Sequence, residues 1–252
     1  MNGRHRKQEK NEIIKKLFVF LFFLISLFAM GFSGMKIFNW LIENKNSNDI
    51  AKDARNDVFS DEKNKYSVDF KSLQEKNSET IAWLKVSSTN IEYPIVKTSD
   101  NEFYMNHSFD RSQNSAGWLF MDYRNKLDSI NENMVIYGHN RRDESMFGTL
   151  KKVLTKEWLN NPDNFIISFI TEREAAQYQV FSVYKTEKES YYITTNFETN
   201  EKFVEFVNKI KSRSIKDFGI TPQAGDNILT LSTCADNDKY RVVLHAKKIS
   251  LY

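Results

Sequence analysis

Apolar residues follow three rhythms along this chain, and each predicts a different element. Leu17 to Met35 (LFVFLFFLISLFAMGFSGM) is an unbroken apolar run without a charge. As a helix rising about 1.5 Å per residue it spans roughly 28 Å, close to the hydrocarbon thickness of a bilayer. Almost every face of that helix is apolar, which argues against a buried helix of a soluble domain. From Ile81 onward the rhythm shortens. The runs IAWLKV, IEYPIVK, GWLFMDY, NMVIYGH, FIISFI, AQYQVFSVYKT, DNILTLSTC and YRVVLHAKKISLY are rich in β-branched or aromatic residues and bounded by polar turns. Eight such runs predict an all-β barrel or sandwich. Helical spacing interrupts them twice. Ser145 to Asn160 reads as one helix, stopped by Pro162. Asn200 to Ser214 puts Phe203, Phe206, Val207 and Ile210 on one face, the mark of an amphipathic helix inserted between strands. A further short helix is predicted over Ser67 to Lys76.

Charge orients the apolar run. Arg4, Arg6, Lys7, Lys10, Lys15 and Lys16 precede it against only Glu9 and Glu12, so the positive-inside rule puts the N-terminus in the cytoplasm. A cleaved signal peptide is the alternative. The run is longer than the usual apolar core of such a peptide, however, and no good A-x-A site follows it. The expected organisation is therefore a basic cytoplasmic N-terminus (1–16), a transmembrane signal anchor (17–40), a polar helical stalk (41–65) and an extracellular domain (66–252).

A net charge of +3, with Lys and Glu interspersed, gives no concentrated basic face and argues against nucleic-acid binding. The single cysteine excludes an internal disulfide framework and any multi-cysteine zinc site. No metal-ligand cluster is apparent, so no cofactor is expected. An unpaired thiol on the oxidising side of a membrane calls for a reason.

Strand alternation supplies one. Along Ile228–Cys234, Leu229, Leu231 and Thr233 share one face, while Thr230, Ser232 and Cys234 share the other. The leucines suit a barrel interior, so Cys234 is expected on an accessible face at the end of its strand. A nucleophilic cysteine needs a partner that stabilises its thiolate and protonates the leaving amine. His5 lies on the wrong side of the anchor, His107 sits in a polar connection, and His245 lies inside the last strand as a half-buried structural residue. His139 follows Met134–Gly138 where strand gives way to loop, the usual place for a catalytic side chain on a rigid scaffold. Arg241 opens the last strand and falls on the face of Cys234 if the two strands pair, where its guanidinium suits a developing oxyanion.

Together these residues resemble a known family. Thr230-Leu231-Ser232-Thr233-Cys234 followed by Arg241 is similar to the TLxTC…R signature of sortases, and Tyr137-Gly138-His139-Asn140 resembles the sortase histidine motif. The order His, Cys, Arg agrees, and the match covers roughly residues 66 to 252. The helical segment ahead of the barrel and the Asn200–Ser214 helix look like class B. The resemblance implies a mainly β fold, an eight-stranded closed barrel with N-terminal helices and a helix between late strands. It also implies a membrane-anchored cysteine transpeptidase that cleaves an NPxTN-like C-terminal sorting signal at the Thr carbonyl and joins surface proteins to a peptidoglycan amine.

Under that resemblance Cys234 forms the thioacyl intermediate and His139 handles the protons. Arg241 and the backbone N–H of Ala235 steady the oxyanion. Asp100–Met105 resembles the segment lining the class B groove, which makes Asn101 and Met105 candidate contacts, with Ser232 and Tyr192 as two more. Competing readings are an L,D-transpeptidase, a papain-like peptidase, or a membrane-anchored binding module with an incidental thiol. The first is expected to carry an SHGC-like motif, the second runs Cys before His, and the third needs no partner for its thiol.

Overall fold

The computed structural model describes residues 2–60, 66–127, 133–235 and 239–251, with the side chains of 2–10, 59, 60, 66, 234, 235, 250 and 251 outside that description. The chain divides into two compact units, Met1–Lys45 and Asn46–Tyr252. The first lies within a long helix, α1 (Asn2–Arg55). Its apolar residues are bare: Phe22 is 72% and Phe28 77% exposed. The helix is long and apolar enough to cross a membrane.

In the second unit α1 is followed by β1 (Val58–Ser60), β2 (Tyr66–Val68), α2 (Phe70–Lys76), β3 (Thr80–Val86), β4 (Glu92–Val96), β5 (Phe120–Met121) and β6 (Asn133–Gly138). Then come α3 (Lys156–Leu159), β7 (Ile166–Thr171), β8 (Ala175–Glu187), α4 (Asn200–Ser212), β9 (Ile228–Ala235) and β10 (Tyr240–Leu251). Eight strands close a barrel in the order β10-β8-β7-β3-β4-β5-β6-β9. All eight apolar runs of the sequence are strands of that barrel. Leu84, Ile95, Phe120, Ile136, Phe169, Val180, Leu229, Leu231, Val242 and Leu244 are buried in its main core.

α4 forms a second layer outside the barrel. Thr199 caps it by accepting a hydrogen bond from the Lys202 N–H, and Phe203, Phe206, Val207 and Ile210 are buried as their spacing predicts. They pack on Phe181, Tyr184, Ile228 and Val243. Each such side chain contributes about 1.5–3 kcal/mol by leaving water.

Three stretches differ from the sequence reading. Over Ser145–Asn160 a 3₁₀ turn (Leu150–Leu154) and the short α3 replace one helix. Thr155 between them is extended and turns its hydroxyl to accept from the Trp158 N–H, a competition with the helical backbone that favours breaking and recapping. Over Ser67–Lys76 the helix starts only at Phe70, where Asp69 caps it through the Ser72 N–H, while Tyr66–Val68 pairs with β1. The segment read as a polar stalk also packs from Asn46 onward. Ala51 and Ala54 are buried in the core, the Asn114 side chain donates to Ser47 Oγ (2.9 Å), and Lys76 binds both Asp53 and Asp57 at 2.8 Å.

Candidate active site

Strand register brings the three sequence-predicted positions to one rim. β6 runs parallel to β9 with Gly138 opposite Thr233, so the next residues, His139 just past the end of β6 and Cys234 still in β9, come at the same level. β10 runs antiparallel to β9 with Arg241 directly opposite Cys234. Directly opposed residues of an antiparallel pair share a face. The Cys234 side chain itself lies outside the described residues; its place in the strand does not. Ala235 is opposite Tyr240 at the end of the same pairing.

His139 is held from two sides. Its carbonyl accepts from the Phe147 N–H (3.1 Å), and its ring Nε2 lies 2.7 Å from the Met105 carbonyl. A carbonyl only accepts, so Nε2 carries the proton and Nδ1 is the acceptor of the neutral ring. Gly117 makes this approach possible. It has φ +60, and a Cβ there would sit 2.6 Å from the Tyr104 carbonyl and 3.0 Å from His139 Cδ2. Arg241 donates from Nη1 to the Tyr240 carbonyl (3.1 Å).

A cavity of about 770 Å³ opens at this rim, lined by Asn101, Met105, Ser232, Tyr192 and Arg241 among others. All four sequence-predicted contact residues therefore border one space. Ser232 and Tyr192 are nearly buried, however, and the Ser232 hydroxyl lies 3.3 Å from the Tyr192 hydroxyl. The face of β9 expected to be open is thus sealed over most of its length. Thr230 is fully buried beneath the α4 layer, bonded to His245 and Asn133. His245 is fully buried too, not half-buried. His107 stacks on Phe103 with its Nδ1 2.7 Å from the Phe103 carbonyl, away from the cavity lining.

Apart from Tyr192, sequence reasoning missed another stretch of the cavity lining, Lys188–Ile193 with Lys209 of α4 and Arg213 at its C-terminal cap. The basic pair at i, i+4 was its one visible signal. It also missed Asp122, a fully buried carboxylate bonded to Asn101, Arg124 and Tyr137. Burial opposes its ionisation, but the hydrogen bonds from Arg124 and Tyr137 outweigh burial and hold its pKa below the ordinary carboxylate value. Among the described residues no cluster of three or more His, Cys, Asp or Glu could hold a metal ion.

The sortase domain model matches residues 84–249, which includes the whole rim. The chain belongs to the sortase family. It is 34% identical to sortase B of Listeria monocytogenes over 237 residues, covering 90% of this chain and 95% of the relative. It is 35% identical to sortase B of Staphylococcus aureus over 185 residues, covering 72% and 75%. The barrel superposes on sortase B of Bacillus anthracis in complex with AAEK1 with a TM-score of 0.73 and 34% identity, covering 83% of this chain and 99% of that one. A Staphylococcus aureus sortase B–substrate complex gives a TM-score of 0.67 at 35% identity, covering 72% and 84%. This sortase is accordingly a cysteine transpeptidase whose relatives are class B enzymes.

Proposed function

We propose that this sortase cleaves an NPxTN-like C-terminal sorting signal after Thr and passes the acylated surface protein to a peptidoglycan amine. The Cys234 sulfur attacks the Thr carbonyl carbon, the scissile C–N bond breaks, and His139 protonates the departing amine. His139 then takes a proton from the incoming amine, which attacks the thioester and releases the thiolate. Arg241 and the Ala235 N–H stabilise the oxyanion of both tetrahedral intermediates, and Asn101, Met105, Ser232 and Tyr192 contact the peptide. The observation that supports this reading is the register of β6, β9 and β10 beside the cavity, with Gly138 opposite Thr233 and Arg241 opposite Cys234. The solved complexes of Staphylococcus aureus sortase B with substrate and of a sortase B with Gly3 support a peptide donor and an amine acceptor.

The same reading assigns residues 17–40 to an uncleaved single-pass membrane anchor, 1–16 to the cytoplasm, and the catalytic domain, from about residue 46, to the cell exterior. The bare apolar helix and the basic flank support it. The test is turnover of a fluorogenic NPxTN-type peptide. Cys234→Ala should abolish cleavage and the thioester adduct seen by intact mass, and Arg241→Ala should lower kcat/KM by about 10²–10³-fold. Unchanged turnover in Cys234→Ala would falsify the assignment.

A further inference from the structure

The cavity's walls come from several separate parts of the chain, and one ion pair, a buried carboxylate with an exposed arginine, joins three of them. Asp122 follows β5 and its carboxylate is fully buried. Oδ1 accepts from the Arg124 backbone N–H (2.9 Å) and from Arg124 Nε (2.8 Å). Oδ2 accepts from Arg124 Nη2 (2.7 Å), the Tyr137 hydroxyl (2.8 Å) and Asn101 Nδ2 (3.1 Å). Five donors thus converge on one carboxylate. Asn101 and Tyr137 both line the cavity, from the loop after β4 and from β6 respectively.

Arg124 reaches further. Its Nη2 also donates to the Ile193 carbonyl (2.9 Å), in the 3₁₀ turn Tyr191–Ile193 that forms the opposite wall. Asn133 Nδ2 holds the carbonyls on either side, Tyr192 and Thr194, each at 3.0 Å. The three consecutive carbonyls of Tyr192 to Thr194 are therefore held by two side chains, and Arg124, through Asp122, ties them to the Asn101 side. Asn101 is itself locked, because its Oδ1 accepts from the Tyr123 N–H (3.0 Å). Neither Asp122 nor Arg124 borders the cavity.

We propose that Asp122 and Arg124 are positioning residues, a clamp anchored on a buried carboxylate that sets the spacing between the Asn101 wall and the Tyr191–Ile193 wall and so determines how tightly the donor peptide is held. A planar guanidinium with parallel donors can bridge a carboxylate and a carbonyl at once; an ammonium is a point charge and lacks that fork. The carboxylate stays ionised because its hydrogen bonds outweigh burial, and Tyr137 stays a donor because burial and Asp122 raise its pKa. The clamp acts on binding and leaves the rim of His139, Cys234 and Arg241 in place. This inference rests on the donor peptide occupying the cavity, as proposed above.

The experiment measures steady-state cleavage by the full-length chain in detergent, for wild type, Arg124→Met and Arg124→Lys. Arg124 is 38% exposed, so both variants are expected to fold. Arg124→Met should raise KM about tenfold with kcat within about threefold, the pattern of lost uniform binding. Arg124→Lys, which keeps the charge but not the fork, should recover only part of that loss. Alkylation of the Cys234 thiol by iodoacetamide should proceed at the wild-type rate in both, showing that the rim is intact. An unchanged KM, a fall in kcat at unchanged KM, or full recovery by Lys overturns the clamp. Failure of the underlying reading is separate: it shows as no cleavage by the wild type itself.

Discussion

Two histidines of this sortase belong to the two strands that flank β9, and they have opposite surroundings. His139 stands at the rim where β6 ends, its Nε2 on the Met105 carbonyl, beside an open cavity. His245 lies mid-strand in β10 under α4, fully buried, with Thr230 Oγ1 2.7 Å from Nδ1 and the Tyr184 hydroxyl 2.9 Å from Nε2. The second set of partners assigns its tautomer. Thr230 donates to Asn133 Oδ1, so it must accept from His245 Nδ1–H; Tyr191 donates to Tyr184, which donates to Nε2. Every bond is satisfied with the ring neutral, and burial lowers its pKa to about 3. One histidine is placed for exchanging protons, the other for never doing so.

Exchanging the rim histidine should break the comparison most visibly. His139→Ala is expected to lower kcat/KM by about 10²–10⁴-fold, the usual worth of a positioned acid–base group. His245→Leu should leave kcat within a few-fold but cost about 2–4 kcal/mol, because Thr230 and Tyr184 lose a buried partner. Thermal melting should then fall by roughly 5–12 °C. The reverse pattern, a silent His139 and a selectively inactive His245, would exchange their roles.

Acid sharpens the contrast. The unfolded chain takes up a proton at His245 below about pH 6.5 while the folded chain refuses it until about pH 3. Stability is therefore lost as pH falls through that window, by up to about 1.4 kcal/mol per unit. Asp122 works in the same direction but lower. Its stabilisation is present above the unfolded carboxylate value, about 3.9, and disappears as pH falls through its depressed folded value. Melting temperature followed from pH 7 to 4.5 should thus fall less steeply in His245→Leu than in wild type. The smallest effect belongs to Ser232, at the boundary between the sealed and open halves of β9. Ser232→Ala should cost about 0.5 kcal/mol and move KM less than threefold. A larger KM change would extend the open half by one residue pair.

Strands and α4 were legible because burial on one or both sides leaves a periodic mark, and the His–Cys–Arg order was legible as a motif. What covers a strand face was not. Alternation correctly paired Thr230 with Ser232, yet only the packing of α4 and the Tyr191–Ile193 turn decides that this face is sealed. The Asp122 clamp joins residues 101, 122, 124, 137 and 193, whose separations carry no local signature. The misread helix at 145–160 had the right apolar spacing but a threonine whose side chain prefers a cap.

The parallel pairing of β6 and β9 has a kinetic consequence. Parallel neighbours cannot be joined by a hairpin, so β7, β8 and α4 all lie on the crossover between them. Positions 139 and 234 are about ninety-five residues apart, and closing so long a loop is slow relative to local structure. The rim therefore does not exist in any partly zipped chain. Until the β6–β9 seam closes, position 234 has no position 139 beside it.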